Sequence, residues 1–457
     1  MSATAPGMPS PTRNMPAAPG AGGKAADRTL MAGLFLLALA VCAAFIVLAG
    51  PLPLKDDALQ YFRIAENVSR GRGFTEDGVL PHTYRPPLFS ALLGAWFFIT
   101  GSRTVLSAQI YQSLCLALSA VATFLLCLEV FPGRRAAAAL SGLWLALHPS
   151  AWTLASWVVQ EPTILLATTV AAWLTARWLA VPGWGKAAAA GAAWGVAALA
   201  KSVALFVPAL LVLFRLICPR KSRPAPFREA ALAAAVFLAV IAPWTARNYL
   251  VLHRLVPVND QAAGMLEWNV GHSDVPAGEG RGPVALLATL LATRNTAPGE
   301  LAGQKFLAGL DRAGLSGEAR RERLWGYVAA HPGYFLVQRV RNAIFFAAPS
   351  VDWLIQTGRL GTGAAQRSAP FLAAAALLHL PLYGFLGWRL YGLFRGRLPL
   401  PLSFFVLFFL AYWGVYALMW GEPRFSVPVY PVLSLFVPWE RLFPRDAAAD
   451  RGETVGA

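Results

Sequence analysis

Two adjacent acids, Asp56 and Asp57, are the residues of this chain best placed to do chemistry. They follow an uncharged apolar segment, residues 30–50, whose about 21 residues cross a ~30 Å hydrocarbon core at about 1.5 Å each. The pair is therefore expected at a membrane surface, where an acid can meet both a lipid-borne and a water-soluble molecule and act as a general base. The alternative is structural, because Asp also caps helix N-termini and complements the helix dipole.

The composition indicates a protein that is embedded in a membrane along most of its length. Hydrophobic residues make up 57% of the chain and charged residues only 14%, whereas globular domains carry about 25% charged residues. The net charge of +16 comes from short Lys and Arg runs between apolar segments. Such runs report topology and anionic lipid rather than a nucleic-acid partner. All four cysteines lie in or beside apolar segments, which argues against a disulfide or zinc framework.

The apolar segments predict about ten membrane spans. These are residues 30–50, 105–131, 136–149, 163–179, 187–200, 203–217, 229–243, 370–388, 402–420 and 425–443. Residues 87–100 would reach only about 21 Å as a helix, too short to span, and are predicted to lie along the outer interface. With that assignment, the basic runs of four loops all fall in the cytoplasm, in agreement with the positive-inside rule.

This topology gives an all-α polytopic membrane protein with both termini inside and interfacial helices on the outer face. Residues 1–29, rich in Pro, Ala and Gly, are predicted to form a disordered cytoplasmic tail. Residues 30–443 form the transmembrane domain, with large outer segments at about 51–104 and 244–369, and residues 444–457 form a second cytoplasmic tail. A surface helix is expected at 58–68, where Leu59, Phe62 and Ala65 share one face.

The order of short motifs along the chain resembles that of the GT-C glycosyltransferases. The resemblance is to the branch with the protein O-mannosyltransferases and the lipid A aminoarabinose transferase (glycosyltransferase family 39). The matching motifs are Asp56-Asp57 with Tyr61 and Ala65, Gly71-x-Gly73-Phe74, Arg85-Pro86-Pro87-Leu88, Gly101, Gln160-Glu161-Pro162, Pro243-Trp244-x-x-Arg247-Asn248 and Arg424-Phe425-x-x-Pro428-x-x-Pro431. They all fall on the predicted outer face, and they extend over most of the chain.

The resemblance implies a GT-C fold and an inverting glycosyltransferase of the cell envelope. Such an enzyme moves a hexose or pentose from a polyprenyl-phosphate donor to a hydroxyl of a lipid, glycan or protein, at the outer face of the cytoplasmic (inner) membrane. In the family the first acid is the base, which implies that Asp56 takes the proton while Asp57 orients groups or caps the helix. A carboxylate beside a second acid and partly shielded by lipid is expected to have a raised pKa.

The departing lipid phosphate gains negative charge in such a reaction, so fixed cations must face it. Four cations fall at predicted outer ends of spans, namely Arg85, Lys201, Arg247 and Arg424. Each could instead reach for lipid headgroups as a snorkelling side chain. Glu161 is the second acidic site by the family pattern, with a metal or a sugar as its partner, although it also complements a helix N-terminus. No cofactor is firmly implied, and a divalent metal is compatible with these residues.

Other assignments remain open on the sequence alone. A polytopic lipid or glycan transporter or flippase usually has internal repeats and charges near the membrane midplane, whereas the charges here lie at the ends of spans. A polyprenyl-diphosphate-dependent glycan polymerase or ligase is not separated from a single-sugar transferase. The outer-segment histidines, His82, His272 and His331, show no metal-ligand spacing and are expected to be solvated.

Overall fold

The computed structural model describes residues 21–49, 54–217, 226–271, 302–348 and 364–446. Within these ranges the chain is helical, and its only β pairing there is an isolated bridge between Thr75 and Pro81. Five of the described helices are long and apolar enough to cross a membrane, namely Ala25–Leu48, Val105–Val130, Glu161–Ala180, Phe227–Leu252 and Leu400–Leu418. The predicted all-α polytopic membrane fold is confirmed.

The helices of the first half are α1 Ala21–Ala49, α2 Asp56–Ser69, α3 Pro87–Thr100, α4 Val105–Val130, α5 Arg135–Leu147, α6 Pro149–Ser156, α7 Glu161–Ala180, α8 Trp184–Ala200, α9 Val207–Ile217 and α10 Pro226–Leu252. The second half has α11 Met265–Gly271, α12 Ala302–Arg312, α13 Gly317–Ala330, α14 Pro332–Ala347, α15 Ala364–Phe394, α16 Leu400–Leu418, α17 Tyr430–Ser434 and α18 Trp439–Leu442. Short 3₁₀ turns occupy Ser202–Phe206, Asp260–Gly264 and Pro423–Val429.

Helix α4 packs on α7, α7 packs on α8, and α8 packs on α10. These four helices form the centre of the bundle. The Ala- and Gly-rich sequence of α8 allows this, because small residues let helix backbones come close together. A Cβ atom on Gly191 would lie 2.1 Å from the carbonyl oxygen of Ala233 on α10. Only glycine fits at this crossing.

Ion pairs gather the predicted cytoplasmic loops at one end of the bundle. Arg135, at the start of α5, lies 2.6 Å from Asp27 and 3.1 Å from Asp446. Arg389 donates to both oxygens of Glu440, at 2.5 and 2.8 Å. These contacts bring the start of α1, the start of α5, the end of α15 and the C-terminal segment together, opposite to the end that carries Asp56.

Helices α2 and α3 lie side by side and hold the acidic pair. The face of α2 with Tyr61 and Phe62 packs on α3 through edge-to-face rings, with centroids 5.2 Å from Phe89 and 5.3 Å from Phe97. Helix α2 is longer than the helix predicted at 58–68, because it begins at Asp56 and ends at Ser69. Helix α3 ends at Thr100 and is capped by Gly101, whose φ of 68° is the left-handed conformation that favours glycine at a helix end.

The N-terminal tail and the last predicted span are two of the segments that differ from the prediction. Helix α1 begins at Ala21, so residues 21–29 are helical, and only residues 1–20 of the predicted tail lie outside the described ranges. The predicted span 425–443 is not one helix but a 3₁₀ turn followed by α17 and α18. Pro428, Pro431 and Pro438 lack the backbone N–H that a continuous helix needs and interrupt it.

Candidate active site

The acidic pair opens α2, but neither acid caps the helix. The N-cap residue is Lys55, which makes no side-chain capping bond, so capping by the acids is not supported, although both lie in the first turn, where they complement the helix dipole. Asp56 has a φ of 46°, a left-handed conformation that costs roughly 1–2 kcal/mol for a residue other than glycine. Its side chain is exposed, and in the described part of the chain its carboxylate has neither a hydrogen bond nor an ion pair.

Asp57 bridges two arginines that come from opposite ends of the sequence. One carboxylate oxygen lies 2.5 Å from Nη2 of Arg85, and the other lies 3.1 Å from Nη2 of Arg424. Burial alone would raise the pKa of Asp57, but the charges of Arg424 and Arg85 outweigh it and hold this pKa below its ordinary value. Asp57 therefore stays ionised at neutral pH and does not have the raised pKa that was expected of the base.

Arg85 is held on several sides. Its Nε and Nη2 donate to the side-chain oxygen of Gln60 at 2.8 and 2.6 Å. The guanidinium also lies 5.0 Å from the ring centroids of both Tyr61 and Tyr84. Only 7% of the residue is exposed, so Arg85 is no snorkelling side chain.

Arg424 is positioned by the 3₁₀ turn Pro423–Val429. Its Nε donates to Glu422 at 2.8 Å, and Glu422 in turn accepts from the Trp420 indole at 2.8 Å. Within the described residues, Arg424 and Arg85 each use Nε and Nη2 and leave Nη1 without a hydrogen bond. Each guanidinium therefore keeps one N–H₂ group available for an anion.

Lys201 and Glu161 form a second charged pair beside Arg424. Lys201 Nζ lies 3.6 Å from Glu161 Oε1 and 3.8 Å from the ring centroid of Phe425, whose ring also lies 5.2 Å from the guanidinium carbon of Arg424. Glu161 is almost fully buried, and its second oxygen has no hydrogen-bond partner among the described residues. The structure thus joins Arg85, Lys201 and Arg424 to the acids through shared contacts.

Arg247 is placed differently from the other three predicted cations. It donates to the backbone carbonyl oxygens of His82 at 2.8 Å and Phe74 at 3.5 Å, and it lies 4.7 Å from the ring centroid of Trp244. It therefore holds the loop between α2 and α3. His82 is half-buried rather than solvated, and burial together with the charges of Arg85 and Arg247 lowers its pKa to about 4.

Three residues of this site were missed by the sequence analysis. Gln60 lies three positions after Asp57 and thus on the same helical face, a spacing that could have indicated it. Glu422 and Trp420 lie between the end of α16 and Arg424, and no periodic pattern marks them. Their contacts appear only once the 3₁₀ turn folds back toward α2.

The site offers oxygen atoms of the kind that divalent metals prefer. Asp57 and Glu422 are engaged by arginines, so Asp56 and one oxygen of Glu161 are the acid groups here that keep unpaired atoms. Across the described ranges, no cluster of three or more His, Cys, Asp or Glu side chains has an arrangement suited to a metal ion. A metal would have to draw on water or substrate oxygens as well.

No protein-family model matches this sequence, and neither does any curated protein sequence. The fold is similar to that of an archaeal oligosaccharyltransferase, AglB from Archaeoglobus fulgidus, in complex with an inhibitory peptide and a dolichol-phosphate. That match has a TM-score of 0.52 and 14% sequence identity, and covers 96% of this chain and 53% of that chain. The apo form of the Archaeoglobus fulgidus oligosaccharyltransferase gives a TM-score of 0.50 and 14% identity, over 89% of this chain and 49% of that chain.

A weaker match is ArnT from Cupriavidus metallidurans bound to undecaprenyl phosphate, with a TM-score of 0.42 and 16% identity over 91% of this chain and 78% of that chain. This chain spans about half the length of the oligosaccharyltransferases that it matches. A sequence identity of 14% supports a shared fold but not a shared activity. The similarity to the oligosaccharyltransferase shows that the chain has the GT-C fold.

Proposed function

We propose that this protein is a membrane glycosyltransferase that moves a sugar from a polyprenyl-phosphate donor to an acceptor hydroxyl at the extracytoplasmic face of the cytoplasmic membrane. One observation carries the proposal: Arg85 and Arg424, far apart in sequence, meet at Asp57 beside the unpaired Asp56. An unpaired acid next to fixed cations at one end of an apolar bundle suits proton abstraction coupled to departure of a lipid phosphate.

In this reaction the two acids have separate tasks. Asp56 takes the proton of the acceptor hydroxyl, and the acceptor oxygen attacks the anomeric carbon as the bond from that carbon to the phosphate oxygen breaks. The configuration inverts, the polyprenyl phosphate leaves, and Asp56 gives its proton to water. Asp57, already paired with two guanidinium groups, keeps them in position.

The leaving phosphate is proposed to bind the free Nη1 groups of Arg85 and Arg424, with Lys201 at the same cluster. A charge-assisted hydrogen bond contributes about 1.5–3 kcal/mol, and the contacts strengthen as charge grows on the phosphate. The archaeal oligosaccharyltransferase that shares the fold was solved with a dolichol-phosphate, which supports a lipid phosphate as the ligand here. The acceptor, and whether the sugar is a hexose or a pentose, follow from the assay below.

The direct test is sugar transfer in membranes that contain the protein. Membranes are incubated with radiolabelled polyprenyl-phosphate sugars, hexose and pentose, and the label is followed into lipid, glycan and protein fractions. Asp56→Asn should lower transfer about 10²- to 10⁴-fold, the range for a lost general base, with unchanged accumulation in the membrane.

Asp77→Asn is the matched control, because Asp77 is an exposed acid of the same predicted outer segment and, within the described ranges, accepts hydrogen bonds only from nearby backbone N–H groups. It should keep full activity. Normal transfer by the Asp56→Asn variant would remove Asp56 as the base. Failure of every donor with the unchanged protein would favour the transporter alternative.

A further inference from the structure

Helix α14, Pro332–Ala347, turns large aliphatic side chains outward. Leu336, Val340 and Ile344 are 67%, 46% and 51% exposed, and their spacing of four places them in one stripe along the helix. An outward apolar stripe is the reverse of what a helix on a water-soluble protein shows.

The opposite face of α14 carries the polar residues and points inward. Arg341 and Asn342 are buried. Gln338 donates to the backbone oxygen of Asn269 at 3.3 Å, and Arg339 donates to the side-chain oxygen of the same Asn269 at 2.6 Å. The helix therefore buries its polar groups against protein and leaves its apolar groups uncovered by the described residues.

Contacts with α16, one of the helices long enough to cross a membrane, fix the depth of α14. Arg339 donates to the carbonyl oxygen of Leu418, the last residue of α16. Further along α14, the Trp413 indole donates to the Ala343 carbonyl oxygen at 2.9 Å, and the Phe346 ring lies 6.4 Å from that of Phe409. Residue 409 lies about 14 Å from the end of α16, so α14 runs antiparallel to it and reaches toward its middle.

We infer that α14 enters the bilayer from the Asp56 side and presents Leu336, Val340 and Ile344 to lipid acyl chains. The bilayer is the molecule that covers this stripe, because α14 lies alongside α16, a helix long and apolar enough to cross a membrane, and reaches toward its middle. This revises the expectation that all of residues 244–369 lie outside the membrane.

The position of α14 also places the charged cluster close to the bilayer. The Phe346 ring stacks on Tyr416 at 5.5 Å, and Tyr416 stacks on Phe425 at 5.0 Å, the ring that faces Lys201. A row of contacting aromatic rings therefore extends from α14 to Lys201. The inference about α14 does not depend on the proposed transferase activity.

Fluorescence quenching tests the depth of α14. Single cysteines at Leu336, Val340 and Ile344, in a background without the native cysteines, carry a bimane label in reconstituted liposomes. Lipids with a spin label on the acyl chain should quench Val340→Cys and Ile344→Cys strongly, and aqueous iodide should quench them several-fold less than Glu322→Cys. Glu322 is an exposed position on the charged helix α13 and serves as the control.

The same question can be asked of the unchanged protein, in case the cysteine background fails to fold. A lipid with a photoreactive acyl chain is irradiated in the liposomes, and adducts are mapped by mass spectrometry. Adducts on residues 336–344 support the inference. Iodide quenching at Ile344 equal to that at Glu322 overturns it, and so does the absence of adducts there while the exposed Leu106 and Ile110 of the span α4 are labelled.

Discussion

At the scale of single residues, the adjacent acids differ in what surrounds them. Asp57 lies between two guanidinium groups that keep it ionised, whereas Asp56 is exposed and held in a left-handed backbone conformation. A carboxylate already bound by two cations is a poor proton acceptor, because protonation would break both ion pairs. The difference favours Asp56 as the base and Asp57 as the residue that positions Arg85 and Arg424.

The arginines should differ in their effect on transfer. Arg85→Gln and Arg424→Gln should each reduce turnover at low donor concentration roughly ten- to a hundredfold, since a charge-assisted contact contributes about 1.5–3 kcal/mol. Lysine at either position should restore only part of the activity, because it cannot reproduce the planar donor geometry of arginine. Donor concentration curves with labelled polyprenyl-phosphate sugar measure both effects.

Arg247→Gln is the comparison variant, because Arg247 contacts loop carbonyl groups and not the acids. It should weaken the loop between α2 and α3 and leave the apparent donor affinity closer to that of the unchanged protein. Equal losses of donor affinity for all three glutamine variants would contradict the separation of roles. Full tolerance of glutamine at Arg85 and Arg424 would mean that the phosphate binds elsewhere.

At the scale of elements, the loop between α2 and α3 should respond to acid through His82. Arg85 and Arg247 face this ring together with Glu76, 3.7 Å away, and Asp77. Since its pKa falls from 6.5 to about 4 on folding, the neutral ring stabilises the fold fully above about pH 6.5, and this contribution is lost as the pH falls toward 4. Between about pH 6.5 and 5 the loss is at most about 2 kcal/mol.

Thermal unfolding of the purified protein at about pH 7 and about pH 5 checks this prediction. His82→Gln cannot be protonated and should show a smaller difference between the two pH values than the unchanged protein. His253→Gln, at an exposed histidine, should keep the difference. The same pH response with and without His82 would assign the acid sensitivity to another group.

The crossing of α8 and α10 should be sensitive to a single methyl group. Gly191→Ala would place a Cβ atom 2.1 Å from the Ala233 carbonyl oxygen, so the helices must separate, at a cost of about 1–3 kcal/mol. Gly185→Ala, on the same helix with nothing within 4 Å of the added atom, should be neutral or slightly stabilising. Unfolding temperatures in detergent compare the two, and similar values would show that the helices tolerate the extra volume.

The sequence predicted most of these helices because length and apolar composition are local properties. Helix α2, the turn at Gly101 and the interruption of the sequence by prolines can all be found from nearby residues. The predicted span 425–443 is broken in the structure because Pro428, Pro431 and Pro438 lack a backbone N–H, although its apolar composition is that of a membrane span. The embedding of α14 could not be predicted, since it depends on which face contacts α16.

The site itself was predictable in part. Position along the spans placed the acids and cations on one side of the membrane, and the structure brings Arg85, Lys201 and Arg424 together. The lowered pKa of Asp57 was not predictable. It depends on Arg85 and Arg424, and their contact with Asp57 cannot be inferred from their positions in the sequence. Arg247 is the opposite case. Its position in the sequence resembles that of the other three cations, but in the structure it contacts loop carbonyl groups rather than the acids.

At the scale of the whole molecule, charge is divided between two ends of the bundle. One end carries the pairs of Arg135 with Asp27 and Asp446 and of Arg389 with Glu440, and the other carries the acidic site. The positive-inside rule assigns the first end to the cytoplasm, because basic loops are retained there. The acids would then face the opposite side, where a lipid-borne donor and an external acceptor can meet.

This orientation can be measured with two exposed positions that the structure places at opposite ends. Asp77 lies in the loop that carries Arg85, and Arg395 follows α15 at the end of the bundle that holds the Arg389–Glu440 pair. In intact cells a membrane-impermeant thiol reagent should label Asp77→Cys and should label Arg395→Cys only after the membrane is permeabilised. Labelling of both in sealed cells would contradict the placement of these two loops at opposite ends of the bundle. Labelling of Arg395→Cys alone would place the acids in the cytoplasm, where the acceptor would have to be a cytoplasmic molecule.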